Sequence, residues 1–555
     1  MSAHLLAISI GPVQDFIAAA RRTRDLWFGS QLLSQISSAA AEALRPRGTL
    51  IFPAPDSASD NVANIILAEI PRDPEQASDT ARHAALARWK AFAGDALAEA
   101  RVLIREEIWN EQVDDVLEFY AAWSPLASPE QYQEARGRVM RLLAGRKALR
   151  DFRPARGRAG IPKSSLDGAR ESVWKDPEKT PELDPELVRR FRLSEGEQLD
   201  VVGLVKRLGG GRHGFPSVSR IAADPWLRGL ENAAPHQRAT LLEACEDLAR
   251  RNILTRVTWP QFSAFPYEAT PVYRDRHKEL QQETGCTDAD LKRIRNLLKD
   301  LPRPDPYLAI LVADGDRMGK VISAMSSPAA HRDFSARLSR FAADAKGIVA
   351  AHNGSLVYSG GDDVLAFVPV DQCLPCARAL HERFATHAGE ATLSVGIAIG
   401  HFMEPLEDLL ECGRAAEKAA KNPDRDGLAV HLHPRSGPPI TVRAQWSNAL
   451  DESLQSWARL LLARLIPDKA AYDLRELARD YEHWPPGVAL ANALRSDALR
   501  LLKRKRTGWT ERALAKIESL VERAASAADL RQIADEIIVA RRIASALDQA
   551  SGGSQ

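Results

Sequence analysis

The stretch Tyr-Ser-Gly-Gly-Asp-Asp at 358–363 places Asp362 and Asp363 directly after Gly360 and Gly361, between two apolar, β-rich runs. Upstream, the apolar run YLAILVA (307–313) leads straight into DGDRMGK, so Asp314 ends a strand and Asp316 follows two residues on. Carboxylates gathered on a small area repel one another unless a cation neutralises them. Hard oxygen ligands suit Mg²⁺ or Mn²⁺, which keep waters and add substrate phosphates. Two such ions about 4 Å apart activate a ribose 3′-hydroxyl and steady a leaving pyrophosphate. Gly-Gly-Asp-Asp alone is equally well explained as a solvated hairpin turn, because Gly and Asp are common turn residues. The further acids Asp314 and Asp316 at the end of a preceding strand favour a metal site built from three or four of these carboxylates. Lys421 closes the helical run EDLLECGRAAEKAAK and suits a triphosphate, although a lysine there also answers the helix dipole. Lys418, one turn earlier, is the weaker candidate.

The elements that must carry these groups follow from periodicity. After the strand at 307–313 come an amphipathic helix closed by Gly354, a hairpin turning at Gly360 and Gly361, a second helix from Gln372, the strand ATLSVGIAIG, a helix ending at Lys421, and the strand GLAVHLH. The order β-α-β-β-α-β is ferredoxin-like. Residues 4–70 repeat β-α-β-β, and a long helical pattern begins near Pro71. The expected class is α+β. Two ferredoxin-like units occupy 1–105 and 305–440, a mainly helical region lies at 106–304, and helices fill 441–555.

Composition limits the function classes. The 555 residues are 45% hydrophobic and 27% charged, with a net charge of +1, so no global field points to nucleic acid. The five scattered cysteines give no disulfide framework. Cys373 and Cys376 form a CxxC with no second pair, which reads as helix packing. The N-terminus has no basic, apolar leader and no run reaches membrane length, so the expectation is a cytoplasmic protein without membrane contact.

Six stretches in order, GPVQDFIAAARRTRDLWFGSQLLS (11–34), KSSLDGARES (163–172), EQLDVVGLVKRLGG (197–210), FPSVSRIAADPWL (215–227), DGDRMGK (314–320) and YSGGDD (358–363), resemble the large palm-domain subunit of type III-B, Cmr-type, CRISPR–Cas effector complexes. The resemblance implies two palm (cyclase-like) domains, the first degenerate. It implies a ribonucleoprotein of smaller subunits with guide RNA, switched on by matching target RNA, and synthesis of cyclic oligoadenylate from ATP. Asp314, Asp362 and Asp363 would hold Mg²⁺ or Mn²⁺. Gly360, Gly361 and Ser359 would lie at the nucleotide, Lys421 near its phosphates, and Asp316 would be a lesser contact. Two alternatives stay open, a non-catalytic scaffold and transfer of ATP to another acceptor such as S-adenosylmethionine. A diguanylate cyclase would end its turn in Glu-Phe, and a polymerase would need a basic fingers helix that is missing here.

The sequence also departs from many relatives. None of the 13 histidines precedes an aspartate, so the adjacent His-Asp of a nuclease domain is not expected. Residues 106–304 hold only Cys245 and Cys286, so no zinc is expected. The first unit has PAPDSASDNVANI, with Asp56 and Asp60, where the acidic hairpin would lie. Residues 136–163 carry ten Lys or Arg against Asp151, a pattern that fits an RNA backbone or a solvated face. KRKR at 503–506 reads as a solvated face. In RRTRDLW (21–27), Leu26 and Trp27 read as core with solvated arginines, or as a surface toward the second palm. His431 and His433 share a strand face without a third ligand.

Overall fold

The computed structural model describes all residues except 1–2, 55–62, 150–156, 176–190, 195, 212–213, 468, 505–509 and 554–555. The first unit runs β1 (Ala3–Gly11), α1 (Thr23–Leu44), β2 (Thr49–Phe52), β3 (Ile65–Ile70), α2 (Pro74–Ala100), β4 (Glu118–Leu126) and α3 (Tyr132–Ala148). Its sheet has the order β2-β3-β1-β4. Alternation along β1 explains the two layers. Leu6, Ile8 and Ile10 face α1 and α2, whereas Leu5 and Ala7 pack with Tyr132, Ala135 and Val139 of α3. β4 comes from the stretch expected to be mainly helical and pairs antiparallel with β1 from Ala3↔Leu126 to Gly11↔Glu118, completing the ferredoxin-like order. Asp56 and Asp60 lie outside the described residues.

Helices α4 (Val201–Gly211) and α5 (Val218–Ala233) belong to the middle region. The second unit follows with β5 (Tyr307–Gly315), α6 (Pro328–Ala351), β6 (Ser355–Gly360), β7 (Asp363–Val368), α7 (Cys373–Ala388), β8 (Leu393–His401), α8 (Leu406–Lys421), β9 (Gly427–Leu432) and β10 (Ile440–Gln445). Its six-stranded sheet has the order β10-β9-β8-β5-β7-β6, in which the ferredoxin-like four, β8-β5-β7-β6, run to one edge and β9 and β10 extend the other side. β5 is apolar from Tyr307 to Ala313 because both faces are covered. Tyr307, Ala309 and Leu311 meet α6 and α7, and Leu308, Ile310 and Val312 meet α5 and α8. Cys373 and Cys376 are buried in the first of these layers, and burial pushes the Cys376 thiol up to about 12.

The tail helices, ending in α9 (Ala527–Ser551), share one apolar core with the second unit rather than standing apart. Glu536, fully buried, is held by Arg523, the Ser453 hydroxyl and the Trp457 indole. Arg542 pairs with Asp305 at 3.0 Å and covers the Tyr307 ring. Among the described residues, no helix is long and apolar enough to cross a membrane.

A contact between the two ferredoxin-like units carries a pH signature. The Tyr132 hydroxyl of α3 lies 2.6 Å from Nδ1 of the buried His331 of α6. Burial first, then Arg136, lowers the His331 pKa to about 4. The folded pKa is depressed below the unfolded value near 6.5, so the neutral ring's stability is complete above pH ~6.5. It is lost as pH falls toward 4, where the unfolded chain takes a proton that the folded chain refuses. His331→Gln keeps a hydrogen-bonding partner for Tyr132 and should flatten this acid slope in thermal unfolding between pH ~7 and ~4.5. An unchanged slope would assign the acid sensitivity elsewhere.

Candidate active site

β6 and β7 close through the two-residue turn Gly361–Asp362, with Gly360 paired to Asp363. Gly361 has φ +86°, which L side chains rarely adopt, while Asp362 is not left-handed; this is the pattern of a glycine-first hairpin turn. The sequence therefore needs glycine at 361 for the turn itself. Gly360 has open space where a Cβ would stand, so no packing within the chain demands its bareness.

β7 lies beside β5, with Val364 opposite Ala313. That register brings Asp363 next to Asp314 at the strand ends, and the turn adds Asp362. Carboxylate oxygens of Asp314, Asp362 and Asp363 all lie within 4.8 Å of one another. Burial, then the neighbouring Asp363 charge, pushes Asp362 up to about 7, and burial raises Asp363 to about 6. Two half-buried acids held this close resist ionising together, and a divalent cation is the group that relieves them. By donor type and spacing the triad fits Mg²⁺ or Mn²⁺.

Helix α8 delivers the cation. At Gly396 of β8 an added Cβ would stand 2.0 Å from the Glu417 amide nitrogen, so only glycine lets helix and strand approach this closely. This closeness sets the end of α8 over β5. Lys421 Nζ contacts the Asp314 carboxylate and lies 2.8 Å from Glu417. Burial and then Arg425 lower the Lys421 pKa, while burial and the charges of Asp363 and Asp316 raise that of Glu417. Glu417 went unnoticed in the sequence, although its i,i+4 spacing to Lys421 was visible.

Asp316 does not join the triad. It is 3% exposed, and its carboxylate accepts hydrogen bonds from the Thr392 hydroxyl (2.8 Å), the Ser394 hydroxyl (2.9 Å) and the Asp426 amide (3.0 Å). It ties the end of β5 to β8 and to the loop after α8. Ser359 is 1% exposed, and its hydroxyl makes no hydrogen bond among the described residues.

The other sequence signals are placed as follows. Leu26 is core and Trp27 stacks on Phe215 at 5.6 Å; of the neighbouring arginines Arg21 is exposed, whereas Arg22 bonds Glu283 and the Arg24 side chain is 12% exposed. Of the basic stretch, Arg138, Arg141, Arg146 and Lys147 lie exposed along α3, and Arg158 is spent on Glu111 and Glu171. His433 faces Cys412 at 3.4 Å rather than a metal-ligand set. Of KRKR, Lys505 and Arg506 lie outside the described residues, and Lys503 lies 3.7 Å from Glu518.

Comparison with known proteins gives three findings. Residues 307–429 match the family model described as Cas10/Cmr2, second palm domain, and residues 5–114 match that of CRISPR-associated protein Cmr2, N-terminal. The CRISPR system Cmr subunit Cmr2 of Pyrococcus furiosus is 29% identical over 267 residues, covering 41% of this chain and 30% of that protein. The match thus spans less than a third of the relative's length. Among solved structures, the Type III-B Cmr-beta in its apo state aligns with a TM-score of 0.67 at 14% identity, over 92% of this chain and 78% of that one. The Type III-B Cmr-beta bound to cognate target RNA gives 0.68 at 13%, over 92% and 79%. At such identities the likeness is one of fold.

Proposed function

Given a chain whose residues 307–429 are a Cas10/Cmr2 second palm domain and whose residues 5–114 are a Cmr2 N-terminal domain, we propose that it serves as the large subunit of a type III-B effector complex and joins ATP into cyclic oligoadenylate. The observation that carries this reading is the acid triad of Asp314, Asp362 and Asp363 on adjacent strands, with Lys421 on its edge. A scaffold has no use for such a cluster, because like charges half-buried together are costly without a cation.

Asp314, Asp362 and Asp363 would hold Mg²⁺ or Mn²⁺, which supplies Lewis acidity at the reacting phosphate and at the attacking 3′-hydroxyl. The chain's own groups do the rest. The open side of Gly360 and Gly361 leaves room for the ribose and base against backbone. Lys421, steadied by Glu417, offsets triphosphate charge, and its partner Asp314 would be one of the ligands of the cation. Asp316 holds the end of β5 rigid through Thr392 and Ser394. The first palm serves as the degenerate partner, and other subunits with guide RNA supply the activating contact with target RNA. A type III-B Cmr-beta structure bound to cognate target RNA, which shares this fold, supports that assignment of partners.

The experiment is steady-state turnover of ATP by the assembled, RNA-bound complex. Lys421→Met should lower kcat/KM for ATP about 10²-fold, as loss of one preorganised positive group at a developing charge does. Unchanged kinetics would remove Lys421 from the triphosphate.

A further inference from the structure

Lys421 is the last residue of α8, so its position depends on how that helix ends. The final carbonyls of a helix have no partner within it. Here each of the last four finds one. Asn422 serves two, its side-chain amide donating to the Lys418 carbonyl at 2.8 Å and its backbone amide to that of Ala419 at 3.2 Å. The Arg425 amide donates to the Lys421 carbonyl at 3.0 Å. The Ala420 carbonyl is met from outside this turn, by Nη2 of Arg443 on β10 at 3.2 Å.

Arg443 also grips the loop that follows. Its Nη2 lies 3.3 Å from the Arg425 carbonyl and contacts the Asp424 carboxylate. Gly427 makes this approach possible, because an added Cβ there would stand 2.2 Å from the Ala420 carbonyl oxygen and 2.9 Å from Nη2 of Arg443. Arg425 and Asp426 both take left-handed backbone, with φ +63° and +45°. Residues with side chains hold that conformation only where their surroundings impose it. The surroundings do so here. The Asp426 amide donates to Asp316, its carboxylate meets Nε2 of His381 on α7 at 2.9 Å, and its carbonyl accepts from the Trp446 amide at 2.9 Å.

β10 is in turn tied to the tail. It ends the sheet and pairs with β9, and Nε2 of Gln532 on α9 donates to the Arg443 carbonyl at 3.2 Å. The strand that caps α8 is therefore held by β9 on one side and touched by the tail on the other. The acid triad sits elsewhere in the sheet, on β5 and at the β6–β7 turn, two strands and more from β10.

On the role given above to Lys421, we propose that Arg443 is a positioning residue for it, and that α9 acts on the substrate site through Arg443. Arg443 touches neither the triad nor the substrate. It fixes the end of α8 and the start of the next loop, so that Nζ of Lys421 stays between Asp314 and the triphosphate. A shift of α9 against β9 moves Lys421 before it moves the metal ligands.

Two readouts test this. The first is independent of the reaction: acetylation of the full chain in EDTA by acetic anhydride, followed at each lysine by mass spectrometry. Arg443→Gln should raise the rate at Lys421 about threefold or more, because amine exposure follows local opening, and should leave the exposed Lys418 unchanged. Gln532→Ala should raise the Lys421 rate about twofold by the same route. Arg443→Lys, whose ammonium is shorter than the guanidinium, should fall between the natural chain and Arg443→Gln, and it serves where Arg443→Gln fails to fold. The second readout is ATP turnover by the assembled, RNA-bound complex. Arg443→Gln should lower kcat/KM about tenfold by misplacing one group. That loss should vanish in a Lys421→Met background, whereas a residue that only supports the fold would add its own loss. A Lys421 acetylation rate unmoved by both Arg443 variants, or an additive loss in turnover, overturns the positioning role. A rate unmoved by Gln532→Ala overturns the link to α9. If acetylation responds as expected but the complex makes no adenylate product, the positioning role stands and the reaction assigned to the site falls.

Discussion

Asp363→Asn is expected to lower adenylate product formation by about 10³-fold or more while leaving the fold as stable as before in EDTA. A bound divalent ion supplies several kcal/mol of charge stabilisation, and each ~1.4 kcal/mol is tenfold in rate. Asparagine keeps the shape and one acceptor but not the charge that holds the ion. The stability half of the expectation comes from the same geometry. Burial raises Asp363 to about 6 and Asp362 to about 7, so at pH ~8 both are ionised against their environment. Removing one charge relieves the other. Mg²⁺ should raise the thermal midpoint of the natural chain at pH ~8 and raise that of Asp363→Asn far less. A variant that keeps its product yield, or one that melts well below the natural chain in EDTA, would mean that Asp363 is a structural residue.

Arg207→Met should destabilise the joint between the first palm and the middle region by about 3–5 kcal/mol. The Arg207 side chain of α4 is fully buried between Asp25 of α1, at 2.8 Å, and Glu197, also at 2.8 Å. It bonds the carbonyls of Phe191 and Arg192 as well. Burial opposes ionisation of Glu197, but Arg207 overcomes it and holds the carboxyl down to about 2. Methionine fills much of the volume and strands two buried carboxylates. The first unfolding transition should fall sharply, and adding Asp25→Asn and Glu197→Gln should recover part of the loss. Arg207→Lys should not rescue, because a point charge cannot reproduce the forked guanidinium contacts. If Arg207→Met unfolds like the natural chain, the buried triad contributes no net stability.

The site was readable in the sequence where local rules decide it. Gly361 marks a turn that needs positive φ, and an apolar run ending in Asp314 marks a strand delivering an acid to its end. Element order then placed those strands side by side. Asp316 shows where that reasoning stops, because the hydroxyls that engage its carboxylate come from Thr392 and Ser394, at the start of a strand far along the chain. β4, EFYAAWSPL, has no clean alternation and is an edge strand with a half-exposed face, so period-2 patterning is weak there. Arg22 and Arg24, at the start of α1, read as solvated by helical periodicity. Their partial burial depends on the middle region, whose contacts at Glu283 and Phe215 leave no local trace. The tail was visibly helical, but its shared core with β9 and β10 was not.

The most direct measurement is mass spectrometry of the products made by the chain assembled with its partner subunits, guide RNA and matching target RNA, given ATP, Mg²⁺ and, in parallel, S-adenosylmethionine. The account expects cyclic adenylate oligomers that appear only with matching RNA and vanish in Asp362→Ala with Asp363→Ala. No product from a fully assembled, RNA-bound complex, or products untouched by that double substitution, would contradict it.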